Sequence, residues 1–591
     1  MGCGSMESMG KGYFRYGNYD TRPCLNIKGK DGQAFKGYDN IIIELRQKIA
    51  QGKRIIVCDL YPGTDKDTVR GYLEALRPAL LVDAEECMKE SSRLEEMFHD
   101  DLTDDPVFGR LSRRHLEECF SGDKIARVRE KIRCTSQGVI LILGVGAGLV
   151  WPGDVCLYFD ITRRQLKLNY QRGMSNWSCE NQDAPLLEKQ KRGYFLEWPM
   201  ADRYKCQVLG SLDYLVDANN AENPVMITGE AFREALTQAA GQPFRVQPYF
   251  EPGVWGGHWM QENFGLKEDA PNYAWCFDGV PEENSLNLRF GEIYIEIPCS
   301  DLVFYQPRRL LGERVFARFG MSFPIRFDLL DTMGGGNLSL QVHPTTAYIQ
   351  EVFGMYYTQD ESYYILDCGE DSVVYLGLKE DVDPTDMERE LRKAQKGEVP
   401  FDVEAFVNRI PVKRHDHLLI PAGTVHCSGA DTLVLEISAT PSVFTFKLWD
   451  WGRVDLDGNP RPIHLEHGLR NIQWDRTQSW VEKNLIRQEA RIREQDGVLV
   501  ERTGLHRLEF IDTFRLTLQK PFVCVMDDSV HVLNLVDGEA AMIESPAGEF
   551  EPVEIHYAET FIIPAAVKTY RVVPAGTDKT QPVKIIAACV R

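Results

Sequence analysis

The chain has 591 residues, 43% hydrophobic and 26% charged. That composition suggests three or four domains at about 100–200 residues each and excludes a disordered or collagen-like polymer. The net charge of −21, from 67 Lys and Arg against 88 Asp and Glu, argues against nucleic-acid binding and obliges any anionic ligand to find a local cationic pocket. The fifteen cysteines include no C-x-x-C pair, which predicts reduced, mostly buried thiols in a cytoplasmic protein.

Residues 1–38 are rich in Gly, Tyr and Asn and show no periodicity. The opening MGCGS has Met6 where a myristoylation signal wants Ser or Thr, and no basic stretch with an apolar core marks a secretory signal. The longest apolar run, 139–151, is 13 residues, short of the about 20 that a membrane helix needs. A soluble cytoplasmic protein with no membrane partner is expected.

From residue 39 strands and helices alternate. A helix over 41–51 leads to predicted strands at 54–60, 79–83, 139–143, 155–160 and 214–217, with charged helical segments between them. Apolar strands joined by helices predict an α/β domain over 39–243 built on a parallel sheet. Past Pro243 the chain becomes aromatic, alternating and punctuated by Pro and Gly, which predicts an all-β region with one helical insertion at 384–407. Short strands with turn signals continue to residue 591, and 486–591 is predicted as a separate β module.

The most informative stretch is 334–366. In an extended strand Ser339, Gln341 and His343 share one face, because side chains alternate with period two. Glu361 follows eighteen residues after His343, and His426 follows a Pro-Ala-Gly turn. Gln, His, Glu and His make a mixed N/O set suited to one zinc or similar divalent ion with a position open to substrate.

The segments PYFEPGVWGG (248–257), FPIRFDLLD (323–331), LSLQVHP (338–344), DESYYIL (360–366), IPAGTVH (420–426), EISATPSVFTFKLWDWGR (436–453) and GNPRPIHLEHGLRNI (458–472) form an ordered series. It resembles the type I mannose-6-phosphate isomerases, zinc-dependent cupins, over about 244–591. The resemblance implies an all-β double cupin, or jelly roll, with a catalytic unit at 244–485. It implies metal ligands Gln341, His343, Glu361 and His426, a phosphate-proximal Ser339, an active-site carboxylate at Glu436, and a phosphosugar substrate. The family moves a proton between C1 and C2 of the sugar through an enediol, and Glu436 with Lys447 are the proton-transfer and charge-stabilising candidates.

Three cationic positions depart from the family. Gln359 stands two residues before the Glu ligand where a Lys is usual, Asp328 takes a second Lys position, and Lys447 an Arg position. Either Arg326, Lys447 and Arg453 rebuild a phosphate grip, or the substrate is a different sugar, or the scaffold binds sugar without catalysis.

The last module repeats the pattern as IPAA, but Lys568 and Thr569 stand where a His would be needed, so it is expected to hold no metal. His415 and His417 are expected in a solvated loop, and His464 and His467 in structural roles. In the N-terminal third, RIIVCDLYPGTDKDT (54–68) sits where a phosphate loop would follow a first strand. Of G-x-x-x-x-G-K-[ST] only Gly63, Lys66 and Thr68 remain. With YFDITRRQLKLNYQRG (158–173), carrying Asp160, Arg163, Arg164 and Arg172, and DYLVDANN (213–220), the region loosely resembles uridine-kinase-like P-loop proteins. A kinase-derived domain without a working phosphate loop is expected. The glycines at 144, 146 and 148 lack the G-x-G-x-x-G spacing and predict no dinucleotide site.

Overall fold

The structure, a computed structural model, describes residues 16–591 apart from 268, 269, 442, 457, 459, 460, 505, 579 and 580. The MGCGS motif lies outside the described residues.

The N-terminal domain is built on a seven-stranded sheet in the order Ala34–Lys36, Val225–Thr228, Tyr214–Asp217, Val155–Asp160, Ile55–Leu60, Ile140–Gly144, Leu80–Asp83. The last five strands are parallel, as their near-continuous runs of Ile, Leu and Val require when both faces are covered. Val225–Thr228 pairs antiparallel with both Tyr214–Asp217 and the edge strand Ala34–Lys36, which makes the sheet mixed rather than wholly parallel. After the first parallel strand, Asp65 accepts the Thr68 amide and caps the helix Lys66–Leu73.

Two sheets then face each other around one core. The first runs His417–Ile420, Glu361–Cys368, Thr432–Ala439, Ile325–Asp331, Trp275–Gly279, Tyr249–Glu251, and the second Val407–Pro411, Val373–Leu378, His426–Ser428, Leu340–Val342, Phe446–Trp449. Tyr363, Ile365 and Val434 of one sheet pack with Val342, Leu376 and Leu448 of the other. A second sandwich follows, with six strands between Ala490 and Val590 against four between Phe522 and Ala575. Its interior is closed by Leu533, Phe561, Ile563 and Tyr570.

The β region holds more helix than the single insertion expected. Besides Pro384–Gln395, helices Ser300–Tyr305, Pro307–Leu311 and Glu313–Phe319 form a cluster. Pro307 starts one of these helices, and Gly312 and Gly320, both at positive φ, end two. In sequence those residues read as loop punctuation. His417 is 4% exposed on a buried edge strand, not solvated, and burial pushes its imidazole down to about 3. His415 is partly buried and its Nδ1 faces the Tyr364 hydroxyl at 2.9 Å.

The N-terminal domain is locked to the first sandwich. Lys205, 1% exposed, sits between Asp160 Oδ2 (2.6 Å) and Asp301 Oδ1 (2.5 Å), the latter from the far side of the domain boundary. Phe108 and Phe195 belong to the sandwich core, with Phe108 stacked against Phe444 at 5.9 Å. The Asp105 carboxylate accepts the amides of Val107 and Phe108 and meets His467 Nε2 at 3.0 Å. Burial alone would raise that carboxyl, but these hydrogen bonds outweigh it and hold it at about 2. No helix among the described residues is long and apolar enough to cross a membrane.

Candidate metal centre and its cavity

Antiparallel register brings the sequence-predicted ligands together from both sheets. Gln341 pairs with His426 on one side and with Lys447 on the other, so their side chains share the inward face. In the facing sheet Arg326, Ser438 and Glu361 form one cross-strand row, and Asp328, Glu436 and Tyr363 the next.

His343, Glu361 and His426 are at most 1% exposed, and one potential ligand atom from each lies within 4.8 Å of the others. His343 Nε2 is 3.1 Å from Glu361 Oε2, and His426 Nε2 is 2.7 Å from Glu361 Oε1. Yet His343 Nε2 and Glu361 Oε1 lack hydrogen-bond geometry to any partner. Close but misaligned polar atoms suit groups that converge on a shared ion rather than on one another. The other ring nitrogens agree: His343 Nδ1 faces the Phe444 carbonyl (3.3 Å) and His426 Nδ1 the Thr424 carbonyl (2.9 Å). A carbonyl can only accept, so Nδ1 carries the proton and each Nε2 keeps a lone pair for a metal. The Gln341 amide lies 3.2 Å from His426 Nε2, and turning the amide over presents its oxygen as a fourth donor. The residues present fit a divalent ion.

Beside this cluster lies a cavity of about 390 Å³, walled in part by Ser339, Gln341, Gln359, Glu436 and Lys447. Gln359 Nε2 donates to Glu361 Oε2 (2.9 Å) and Glu436 Oε1 (3.3 Å), bridging two carboxylates with a neutral amide. Burial, followed by Glu361 and Asp328, pushes the Glu436 carboxyl well above the usual range. Asp328 is paired with Arg326 at 2.8 Å, and burial still lifts it to about 7. Burial, with Arg461 and Arg453 nearby, pushes Lys447 down to about 8, and its ammonium has no hydrogen-bond or ion-pair partner among the described residues.

Of the three expected grip cations, Arg326 and Lys447 line the cavity and Arg453 does not. Arg453 Nη2 is tied to Asp450 Oδ1 at 2.6 Å. Arg461, which holds the other oxygen of Asp450 at 2.8 Å, takes the place on the wall. Sequence reasoning missed Arg461 because it follows a turn-rich stretch that carries no periodicity. It also missed that a third of the wall, including Arg163, Lys167 and Lys191, comes from the N-terminal domain. His464 and His467 hold no metal cluster: His464 Nδ1 accepts the Lys447 amide at 3.3 Å and His467 joins Asp105. In the second sandwich Lys568 is an exposed residue at φ 62, and no metal-binding group of His, Cys, Asp or Glu is found there among the described residues.

Residues 37–241 match a family model described as a domain of unknown function (DUF8485). The chain is 25% identical over 311 residues to the mannose-6-phosphate isomerase ManA of Bacillus subtilis, spanning 52% of this chain and 89% of that one. It is also 25% identical to the mannose-6-phosphate isomerase of Streptococcus mutans, over 39% of this chain and 67% of that one. Among solved structures it is similar to the mannose 6-phosphate isomerase from Bacillus subtilis, with 19% identity, a TM-score of 0.48 and coverage of 59% and 99%.

Proposed function

We propose that this chain is a metal-dependent aldose–ketose isomerase that interconverts mannose 6-phosphate and fructose 6-phosphate. The observation that carries the reading is the buried His343–Glu361–His426 cluster, with Gln341, at the wall of a cavity whose cations can meet an anionic sugar. Similarity to relatives bearing that name supports the substrate.

Gln341, His343, Glu361 and His426 would hold the ion, zinc by the family resemblance. Such an ion would draw electron density from the oxygens on C1 and C2 of the open-chain sugar and acidify the proton to be moved. Glu436, on the cavity wall and oriented by the Gln359 amide, is the group to carry that proton between the two carbons. Lys447 and Arg326 favour negative charge on the sugar oxygens. Ser339 and Arg461 lie on the same wall and suit the phosphate. The burial of these groups keeps water from competing for the proton. The N-terminal domain is read as having no kinase activity, because Lys66, the residue that would reach a phosphate, is bound to Asp83 (3.0 Å) and Glu85 (2.8 Å).

A coupled assay that follows fructose 6-phosphate from mannose 6-phosphate tests the proposal. Turnover abolished by chelation and restored by a divalent ion is expected, and no metal-dependent turnover by the purified chain overturns it. A different sugar substrate is the second reading, favoured by the neutral Gln359 and the acidic Asp328 at the wall. Activity on another aldose exceeding that on mannose 6-phosphate would establish it.

A further inference from the structure

The face that the N-terminal domain turns to the cavity belongs to one continuous helical segment. Helix Leu186–Arg192 runs through a π-helical turn, Gly193–Glu197, into helix Trp198–Val208. Leu187, Gln190, Lys191, Tyr194, Phe195 and Trp198 line the cavity, a stripe at the three- and four-residue spacing of a helix face. Helices seldom contain a π turn, and those that do often carry it at a functional site.

This turn is held in place. Glu197, 1% exposed, accepts Arg192 Nε at 2.7 Å and Asn176 Nδ2 at 3.0 Å. Gly193 lets the Trp198 ring lie against the backbone, where an added Cβ would come within 2.5 Å of the indole. The carbonyl of Phe195 accepts the Ser112 amide at 2.8 Å, and Phe195 itself is in the sandwich core.

A stripe that served only to pack would be apolar throughout. Gln190 and Tyr194 instead bring polar side-chain ends to the cavity that have no hydrogen-bond partner among the described residues. The Tyr194 hydroxyl lies in the field of Arg163, Arg326 and Glu283, the sandwich side of the cavity included. Lys191 donates to the carbonyls of Thr103 and Asp105, and no carboxylate neutralises it at ion-pair distance. Of the three cations that the N-terminal domain puts on this wall, Arg163 is bound to Asp202 and Lys167 to Glu251, which leaves Lys191 as the one without a carboxylate partner among the described residues. An ammonium group without a carboxylate partner on the cavity wall suits an anionic group. The free amide and hydroxyl of Gln190 and Tyr194 suit sugar hydroxyls.

We propose that the N-terminal domain is a substrate-binding wall of the isomerase site, with Lys191 gripping the substrate phosphate, and Gln190 and Tyr194 binding sugar hydroxyls. The identity of the sugar rests on the function proposed above, whereas the anion site does not. Full-length Lys191→Met, Lys191→Arg, Gln190→Ala and Tyr194→Phe chains are compared with the unaltered protein in two arms. The first measures kcat and KM for mannose 6-phosphate, and the second binding of inorganic phosphate by calorimetry.

Lys191→Met is expected to raise KM and the phosphate dissociation constant about tenfold, with kcat changed less than about twofold. Lys191→Arg should recover most of the loss. Tyr194→Phe and Gln190→Ala should raise KM about three- to tenfold and leave phosphate binding unchanged. Lys191→Arg keeps the charge and Tyr194→Phe the ring, so a folding defect is told apart from a lost contact. If the unaltered chain does not isomerise mannose 6-phosphate but binds phosphate through Lys191, the assigned reaction falls and the wall stands. Phosphate binding that is absent, or indifferent to Lys191, overturns the wall whatever the assay shows.

Discussion

Two cavities of this molecule present themselves as ligand sites, and the larger has less to offer. The N-terminal domain opens a space of about 830 Å³ at the end of the strand Ile55–Leu60, lined by Gly63, Thr64, Lys66 and Glu85. Its charged chemistry is already used internally, since Lys66 is held by two carboxylates and Asp65 is engaged in capping its own helix; the buried atoms that lack partners on its lining are neutral ones, Thr64 Oγ1, Trp177 Nε1 and Ser178 Oγ among the described residues. The cavity against the first sandwich is less than half that volume. There Lys447 has no hydrogen-bond or ion-pair partner among the described residues, and His343 Nε2 and Glu361 Oε1 lack hydrogen bonds. Volume therefore marks where a ligand could fit, and ionisable groups without partners mark where an anion or a metal ion would be held.

The contrast can be broken most forcefully at the metal cluster. His343→Ala should empty the site and lower isomerase activity at least about a hundredfold, since the remaining donors cannot hold the ion in geometry. Metal analysis of the purified variant alongside the coupled assay checks both. A variant that keeps its metal and its rate removes the cluster from the mechanism.

Lys205→Met strikes the joint that holds the two regions together. It leaves Asp160 and Asp301 buried without a counter-charge and should cost about 3–5 kcal/mol, seen as a large fall in melting temperature. A melting temperature unchanged at pH 7 would show that the carboxylates find another partner.

Asp105→Asn probes the same joint through pH. The Asp105 carboxyl is held at about 2 against an ordinary 3.8, so its contribution is present above about pH 4 and lost as the pH falls through about 2. The urea midpoint of the unaltered chain should fall on acidification over that window, and the variant should show a shallower fall. Equal slopes would mean the carboxylate does not help to fix the interface.

The smallest effect is expected at Lys66→Met. It should leave isomerase activity unchanged, and ATP should not raise the melting temperature of the unaltered protein. A nucleotide-dependent shift that the variant loses would reverse the ranking of the two cavities.

Much of this arrangement was legible in the sequence. The parallel strands announced themselves because burial on both faces demands unbroken apolar runs such as Ile55–Leu60 and Ile140–Gly144. Gln341, His343, Glu361 and His426 stood out by residue type within an ordered series of motifs, and the fold brings them together. Arg453 and Arg461 illustrate the limit. Both grip Asp450, and only the folded chain shows that Arg461 rather than Arg453 faces the cavity. His417 was misjudged because the polar run ahead of it conceals that the strand His417–Ile420 begins at the histidine itself. The wall contributed by Gln190, Lys191 and Tyr194 was invisible for a different reason. A helix stripe of mixed polarity reads as a surface until the domain that covers it is in place.

The segment 16–28 spans the whole assembly. Leu25 and Asn26 pair with the strand Ser285–Phe290, Asn18 donates to the Glu539 carbonyl at 3.1 Å, and the Asp20 amide donates to Glu559 at 2.7 Å. On the ribosome this strap emerges before the second sandwich, whose contacts with it are made more than five hundred residues later. Its strand can pair with Ser285–Phe290 first, but its remaining contacts must wait until the second sandwich has been synthesised, which makes it a clasp that closes late.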